Sequence, residues 1–291
     1  MLIRVDMTFP RSTFPVSITL LLVTSTGFSA QNPRQTAWKI LQEGVSEKSA
    51  DRRSRAVRAL ALLPGDPQAV ALAERALEDE KPAVRISAAT ALGVMRSRAS
   101  IPKLRKALSD NDGSVVLAAA QSLVTLKDDE GYEAYYAVFT GERKTGRGLK
   151  SEGLAVLRDP KKLAKFSFEE GIGFVPFGGL GFSAFTMLTR DDVSPVRAGA
   201  ARMLANDPDP RSGEALGQAV VSERSGMVRA AALEAVAKRG NPSLLSDILT
   251  ALSDENDVVR YTAASAVIRL TTAQEFSKHE PKNARQRKEN H

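Results

Sequence analysis

The chain has no cysteine among its 291 residues. That excludes disulfides, thiol catalysis and thiolate metal sites, and it leaves no cysteine to carry a lipid. Histidine occurs only at His279 and His291, both near the C-terminus. The common zinc sites and a Ser-His-Asp triad therefore have no histidine to draw on in the patterned part of the chain. Aromatics are few, with one tryptophan, four tyrosines and eleven phenylalanines, as suits a core built from alanine and leucine. Charge of one sign is also lacking. The 41 Lys and Arg stand against 34 Asp and Glu, for a net +7 spread with mixed sign along the chain. A nucleic-acid reader concentrates its charge on one face. The apolar run VSITLLLV, from Val16 to Val23, is too short to span a bilayer comfortably.

What is present is repetition. PAVRISAATAL ends at Leu92, SPVRAGAARML at Leu204, GMVRAAALEAV at Val236 and DVVRYTAASAV at Val267. Weaker copies are RRSRAVRAL, ending at Leu60, and SVVLAAAQSL, ending at Leu123. The basic residue recurs at Arg53, Arg85, Arg197, Arg229 and Arg260, with Val116 and Lys150 in its place between. The steps are 32, 31, 34, 47, 32 and 31 residues. Small residues follow three and four positions on, as in Ala88 and Ala89, Ala200 and Ala201, Ala263 and Ala264. They let two helices approach closely while larger residues fill the seam.

A second helix precedes each of these, anchored by Val70, Ala73 and Leu77, by Ile101, Leu104 and Leu108, and by Leu245, Ile248 and Leu252. Pro67, Pro102 and Pro242 fall in or near the first turns, where a missing N–H costs nothing. Each repeat is a helical hairpin. One hairpin cannot bury its apolar face alone, so the hairpins must stack.

An acid stands six residues before the basic position: Glu47 and Arg53, Asp79 and Arg85, Asp191 and Arg197, Glu223 and Arg229, Asp254 and Arg260. Asp110 keeps the acid where Val116 replaces the base, and Lys144 stands before Lys150. This spacing puts the acid at the turn into the second helix, where a carboxylate can accept unpaired N–H groups. The arginine can then reach the acid of its own or of the next repeat. The regular pairing favours a structural ladder over a stripe for anions.

Asp-x5-Arg followed by Ala-Ala and a closing Leu resembles the HEAT repeats, in the short variety of the phycobilin-lyase-like proteins. The resemblance spans about residues 34 to 270. It implies an all-α, right-handed α-solenoid of about seven helical hairpins. Such repeats serve scaffolds, inhibitors, nucleic-acid enzymes and lyases alike, so the resemblance names a fold and not a reaction.

In chain order, residues 1–30 have the layout of a secretory signal peptide: Arg4 and Arg11 in front, an apolar core, and TSTGFSA up to Ala30. Ser29 is a competing cleavage point and Met7 an alternative start. Trp38 falls in the first helix and is expected to pack against the open end of the array. GERKTGRG, from Gly141 to Gly148, is a loose basic loop in which Arg143, Lys144 and Arg147 could meet an anion or a partner. An insertion of about residues 158–181 carries GIGFVPFGGLG, from Gly171 to Gly181. Six of the eleven phenylalanines lie between Phe166 and Phe185. Pro176 stands where the third glycine of a phosphate-cradling G-x-G-x-x-G would be. Phe174, Phe177 and Leu180 are either packed as a plug or exposed for contact with a partner or a membrane surface over residues 171–185. The solenoid is taken as residues 31–270 and the polar stretch 271–291 as a disordered tail.

The residues point to no catalysis, cofactor or metal. The expected function is an exported, periplasmic or secreted, monomeric scaffold that binds protein. Lyase-like or ligand-handling activity and nucleic-acid binding are the alternatives, weakened respectively by the missing nucleophiles and by export.

Overall fold

The computed structural model describes residues 32–140 and 193–279. Among these, every regular element is a helix. In chain order they are α1 (Pro33–Gly44), α2 (Ala50–Ala59), α3 (Pro67–Ala76), α4 (Pro82–Val94), α5 (Ile101–Ala107), α6 (Gly113–Thr125) and α7 (Asp129–Thr140), then α8 (Ser194–Leu204), α9 (Pro210–Ser222), α10 (Gly226–Arg239), α11 (Leu245–Ile248) and α12 (Asp257–His279). Short 3₁₀ turns flank α2, α5 and α11.

The helix starts follow from local chemistry. Asn32, Asp66, Asp112 and Asp209 each accept backbone N–H groups of the first turn they precede. Pro33, Pro67, Pro82 and Pro210 occupy the first helical position. At the C-terminus of α10, Gly240 takes φ 66°, the left-handed conformation that closes a helix at little cost to glycine. Arg96 and Lys127, just past α4 and α6, adopt the same conformation with φ 54° and 60°, which side chains tolerate less well.

The helices form two layers. Each hairpin packs a first helix (α1, α3, α5, α9, α11) on a second (α2, α4, α6, α10, α12), and the second helices pack on one another. Their buried faces are alanine with a leucine, valine or isoleucine: Ala56, Ala88, Ala89, Ala119, Ala231, Ala263 and Ala264 are 0 % exposed, as are Leu60, Leu92, Leu123, Val236 and Val267. The expected anchors of the first helices point inward too. Ala73, Leu104 and Ile248 are fully buried, while Val70, Leu77, Ile101, Leu245 and Leu252 are half-buried against the same core.

The order of stacking is not the order of the chain. α4 packs between α2 and α6, and α10 packs between α8 and α12; α12 in turn packs on α2 and α1. Among the described residues the second-helix layer therefore runs α8, α10, α12, α2, α4, α6, with the first and last described hairpins adjacent in its middle. This corrects the placement of Trp38. Its helix is not at an open end, because α12 lies against it, and Trp38 is half-buried against the common core. The helix expected to stop near Leu270 also continues to His279. Thr271 is buried, with its hydroxyl on Val267 O at 2.8 Å, and Arg34 reaches Glu275 at 2.5 Å. The distant contacts that hold this stretch come from α1, so its polar composition gave no local sign of them.

The signal-like segment, Asp191, the loop with Arg143, Lys144, Arg147 and Lys150, the insertion with Phe174, Phe177 and Leu180, and residues after 279 lie outside the described residues.

Candidate functional site

The ladder arginines sit in the first turn of each second helix, where the preceding turn's carbonyls point at them. Nη1 of Arg53 donates to Glu47 O at 2.8 Å and Lys48 O at 3.0 Å; Nη1 of Arg85 donates to Asp79 O at 2.7 Å; Nη1 of Arg229 donates to Glu223 O and Arg224 O, both at 3.0 Å. The other edge of each guanidinium turns to the next repeat. Nε and Nη2 of Arg53 meet the Asp79 carboxylate at 2.8 and 2.9 Å, those of Arg85 meet Asp110 at 2.7 and 2.8 Å, and those of Arg229 meet Asp254 at 2.8 and 2.9 Å. Arg197 reaches Glu223 of the next repeat through Nη2 alone. The arginine thus takes the main chain of its own turn and the carboxylate of its neighbour's. Such two-pronged pairs are the strong form of the interaction.

The carboxylates are tuned accordingly. Burial works against the ionised form of Asp79, but hydrogen bonds from Arg53 and the Lys81 N–H outweigh it and hold the carboxyl below its usual range. Asp254 is treated in the same way by Arg229 and the Asn256 N–H. Arg53 and Arg85 are raised by their hydrogen bonds to Asp79 and Asp110. A shallow cleft of about 280 Å³ lies by Arg229 and Asp254, walled by Val220, Val221, Thr250 and Ala251. Its charged groups already pair with each other, or with Arg197 through Glu223.

The rung pattern changes where α2 and α12 meet. Arg260 donates to Asp254 O at 2.8 Å as expected, but its carboxylate partner is Asp257 of its own helix. Asp257 also takes Arg52 at 3.1 Å and Arg55 at 3.8 Å from α2. Glu47 is left with Arg52 at 3.7 Å. At the far end of the same seam, Nη1 of Arg269 donates to Leu62 O at 2.9 Å. The start of α12 therefore lies by the start of α2, and the middle of α12 by the end of α2, so the two helices run parallel.

Two further contacts escaped the sequence reading. Arg105 of α5 holds Asp128 at 2.8 Å and Glu130 at 3.0 Å, tying α5 to α7. Arg239 donates to Leu204 O at 2.9 Å, Asp209 O at 3.0 Å and also Asp207 O, clamping the turn between α8 and α9. Arg239 stands in the last turn of α10 and reaches carbonyls left orphaned at the end of α8 and in the turn after it.

On four of the second helices one stripe is half-buried or exposed. On α2 it is Asp51, Arg55, Arg58 and Leu62; on α4, Ala83, Thr90 and Val94; on α6, Ser114, Leu117, Gln121 and Thr125; on α10, Met227, Glu234 and Lys238. The repeat step brings these into rows, such as Arg58, Thr90 and Gln121, or Leu62, Val94 and Thr125. Tyr135 of α7 closes the first row, its hydroxyl at 2.8 Å from Gln121 Oε1 and its ionisation suppressed by burial. Arg202 and Glu234, at 2.7 Å, bridge α8 to α10. Val94 and Tyr136 are 58 % and 62 % exposed, and α6 carries no charged residue at all.

Among the described residues no cluster of three or more His, Asp or Glu could hold a metal, and no helix is long and apolar enough to cross a membrane. A family model for HEAT repeats matches residues 39–124 and 184–273. No protein of curated function matches the chain significantly. Solved structures similar to it include human deoxyhypusine hydroxylase, at 18 % identity and a TM-score of 0.33 over 82 % of this chain and 97 % of that one. The complex of CpcE and CpcF of phycocyanin lyase from Nostoc sp. is similar at 20 % identity and a TM-score of 0.32 over 92 % and 99 %. A designed armadillo repeat protein is similar at 15 % identity and a TM-score of 0.25 over 82 % and 100 %.

Proposed function

The chain belongs to the HEAT-repeat family, and we propose that it serves as an exported, monomeric scaffold that binds protein through the uncovered face of its second helices, with no catalysis of its own. The observation that carries this reading is the division of labour between the two sets of side chains. The ladder arginines are consumed by carboxylates and carbonyls between repeats, so they are not a stripe for nucleic acid. What remains on α2, α4 and α6 is a row-like surface of arginine, threonine, glutamine, valine and leucine, held on rigid helices. A surface of that kind gives a partner apolar area at its centre and hydrogen bonds at its rim. The export half of the proposal is supported by the layout of residues 1–30.

The test is copurification of the tagged chain with and without Val94→Glu and Gln121→Lys, followed by mass spectrometry. A protein held by the parent and lost by the double variant, with unchanged melting, supports the scaffold. An identical set of bound proteins, or none, removes it. N-terminal sequencing of the exported fraction should begin at Ala30 or Gln31; an intact N-terminus confined to the cytoplasm contradicts export.

A further inference from the structure

One flank of α8 is open where the same flank of its neighbours is closed. In each repeat this flank carries the residues one before, three after and six after the ladder base. On α4 these are Val84, Ala88 and Ala91, and on α10 Val228, Ala232 and Ala235; all six are at most 3 % exposed. The equivalent places on α6 and α12 are buried as well. On α8 they are Val196, Ala200 and Met203. Val196 and Met203 are 46 % and 73 % exposed, and Ala200 is exposed with them. A carbon added to Gly199, beside Ala200, would meet nothing within 4 Å. The opposite end of the layer is closed by α7, whose Gly131 lies so near α6 that an added Cβ would sit 2.7 Å from Ala120 O. Among the described residues α8 is therefore the uncapped end of the layer, and an apolar end of a repeat array calls for a cover.

Elsewhere the cover is the second helix of the preceding copy in the chain: α2 packs on α4, α4 on α6, α8 on α10 and α10 on α12. The contact is specific. Val57, four residues after Arg53, packs on Val84 and Ala88, and Ser122 Oγ of α6 donates to Ala89 O of α4 at 2.8 Å. The copy before α8 is the one with Lys150. Its stretch, residues 148–157, lies outside the described residues, but its sequence keeps the register: Leu154 falls at the place of Val57 and Leu157 at that of Leu60. We propose that residues 148–157 of this chain dock on the open flank of α8, with Leu154 seated on Val196 and Ala200. The ladder adds a rung. Arg53, Arg85, Arg197 and Arg229 each reach the acid six places before the next base position, and for Lys150 that acid is Asp191. A lysine brings a point charge where arginine brings a fork, so this rung is weaker than the others. The step from Lys150 to Arg197 is 47 residues against 31 to 34 elsewhere, so the chain is long enough to return to α8. This flank is separate from the face proposed above for a partner, and the two readings fail independently.

The test is thiol trapping in the full chain, which has no cysteine of its own. L154C with A200C, treated with a short bismaleimide at low protein concentration, should cross-link within one chain, seen as faster migration in denaturing electrophoresis and loss of both free thiols. L154C with Q42C, on the exposed side of α1, should not. M203E should lower the melting temperature by several degrees, because the flank is then buried. A cross-link that joins two chains and grows with protein concentration would assign the flank to a second copy and overturn the proposal. No cross-link, with M203E melting like the parent, would show the flank to be free and overturn it as well.

Discussion

Tyr261, in the last helix, occupies the space that any side chain on Gly44, at the end of the first helix, would need. A Cβ built on Gly44 would lie 2.5 Å from the tyrosine ring and 2.8 Å from Ala56 Cβ. Tyr261 is itself 3 % exposed. Gly44→Ala should therefore destabilise the chain by ~1 to 3 kcal/mol, the usual range for overpacking. Gly199→Ala, with nothing within 4 Å of its added carbon in mid-α8, should be neutral or stabilising by up to about 1 kcal/mol. Thermal melting of the pair checks this; equal shifts would mean that the first and last helices are not in contact.

The inter-repeat rungs give a second expectation. Arg229 and Asp254 are 18 % and 13 % exposed, whereas Lys106 and Glu78, 3.7 Å apart, are 81 % and 72 % exposed. Arg229→Ala removes the guanidinium that donates to three groups, the Glu223 and Arg224 carbonyls and the Asp254 carboxylate, and leaves each of them short of a partner. It should cost ~1 to 3 kcal/mol, while Lys106→Ala should cost less than about 0.5 kcal/mol. Denaturant unfolding of the two variants measures the difference, and equal midpoints would remove the ladder as a source of stability.

Acid should loosen the same rungs. Asp79 and Asp254 have carboxyls held below their usual range in the fold. A depressed carboxyl contributes stability that is complete above its unfolded pKa, about 3.9, and is lost as pH falls through the folded value. The melting temperature should be insensitive to these groups from pH 5 upward and should fall below about pH 4. The fall should be shallower in Arg229→Ala, which has already lost one rung. An identical acid slope in parent and variant would contradict the assignment.

Ser265 is fully buried, and its hydroxyl has no hydrogen-bond partner among the described residues. An unmade buried hydrogen bond costs about 1 to 3 kcal/mol. Ser265→Ala deletes the hydroxyl from a helix interior that already favours alanine, so the melting temperature should rise. A fall would show that the hydroxyl is engaged.

Much of this was legible in the sequence. The hairpins, their alanine seams and the ladder residues follow from a regular step, and Arg53, Arg85 and Arg229 stand where that step puts them. The direction of pairing was not legible, because one guanidinium serves both turns: its own acid's carbonyl and the next acid's carboxylate. The meeting of α12 with α1 and α2 was harder still, since residues more than 200 apart leave no periodic trace. Two exceptions to the repeat did mark it. Tyr261 is aromatic where the other copies have Ser54, Ile86, Leu117, Ala198 and Ala230, and Asp257 is acidic where they have Ala50, Pro82, Gly113, Ser194 and Gly226. Each breaks the pattern because its neighbour across the seam is α2 and α1 rather than the next repeat in sequence. The open rows on α2, α4 and α6 could be counted from the step, but which side of each helix stays uncovered depends on the stacking.

The most direct test of that stacking is a distance between the chain's first and last helices. The chain has no cysteine, so Arg34→Cys with Glu275→Cys gives two spin labels and no background. The pair it replaces is partly exposed, at 28 % and 57 %, and its loss should cost at most about 1 kcal/mol. With α12 lying on α1, pulsed dipolar spectroscopy should show one distribution centred below about 25 Å, since the two native side chains touch at 2.5 Å and the labels add only their own length. An array stacked in chain order would place its first and last hairpins about 50 Å apart, six steps of helix packing, and a distribution centred there would contradict the account.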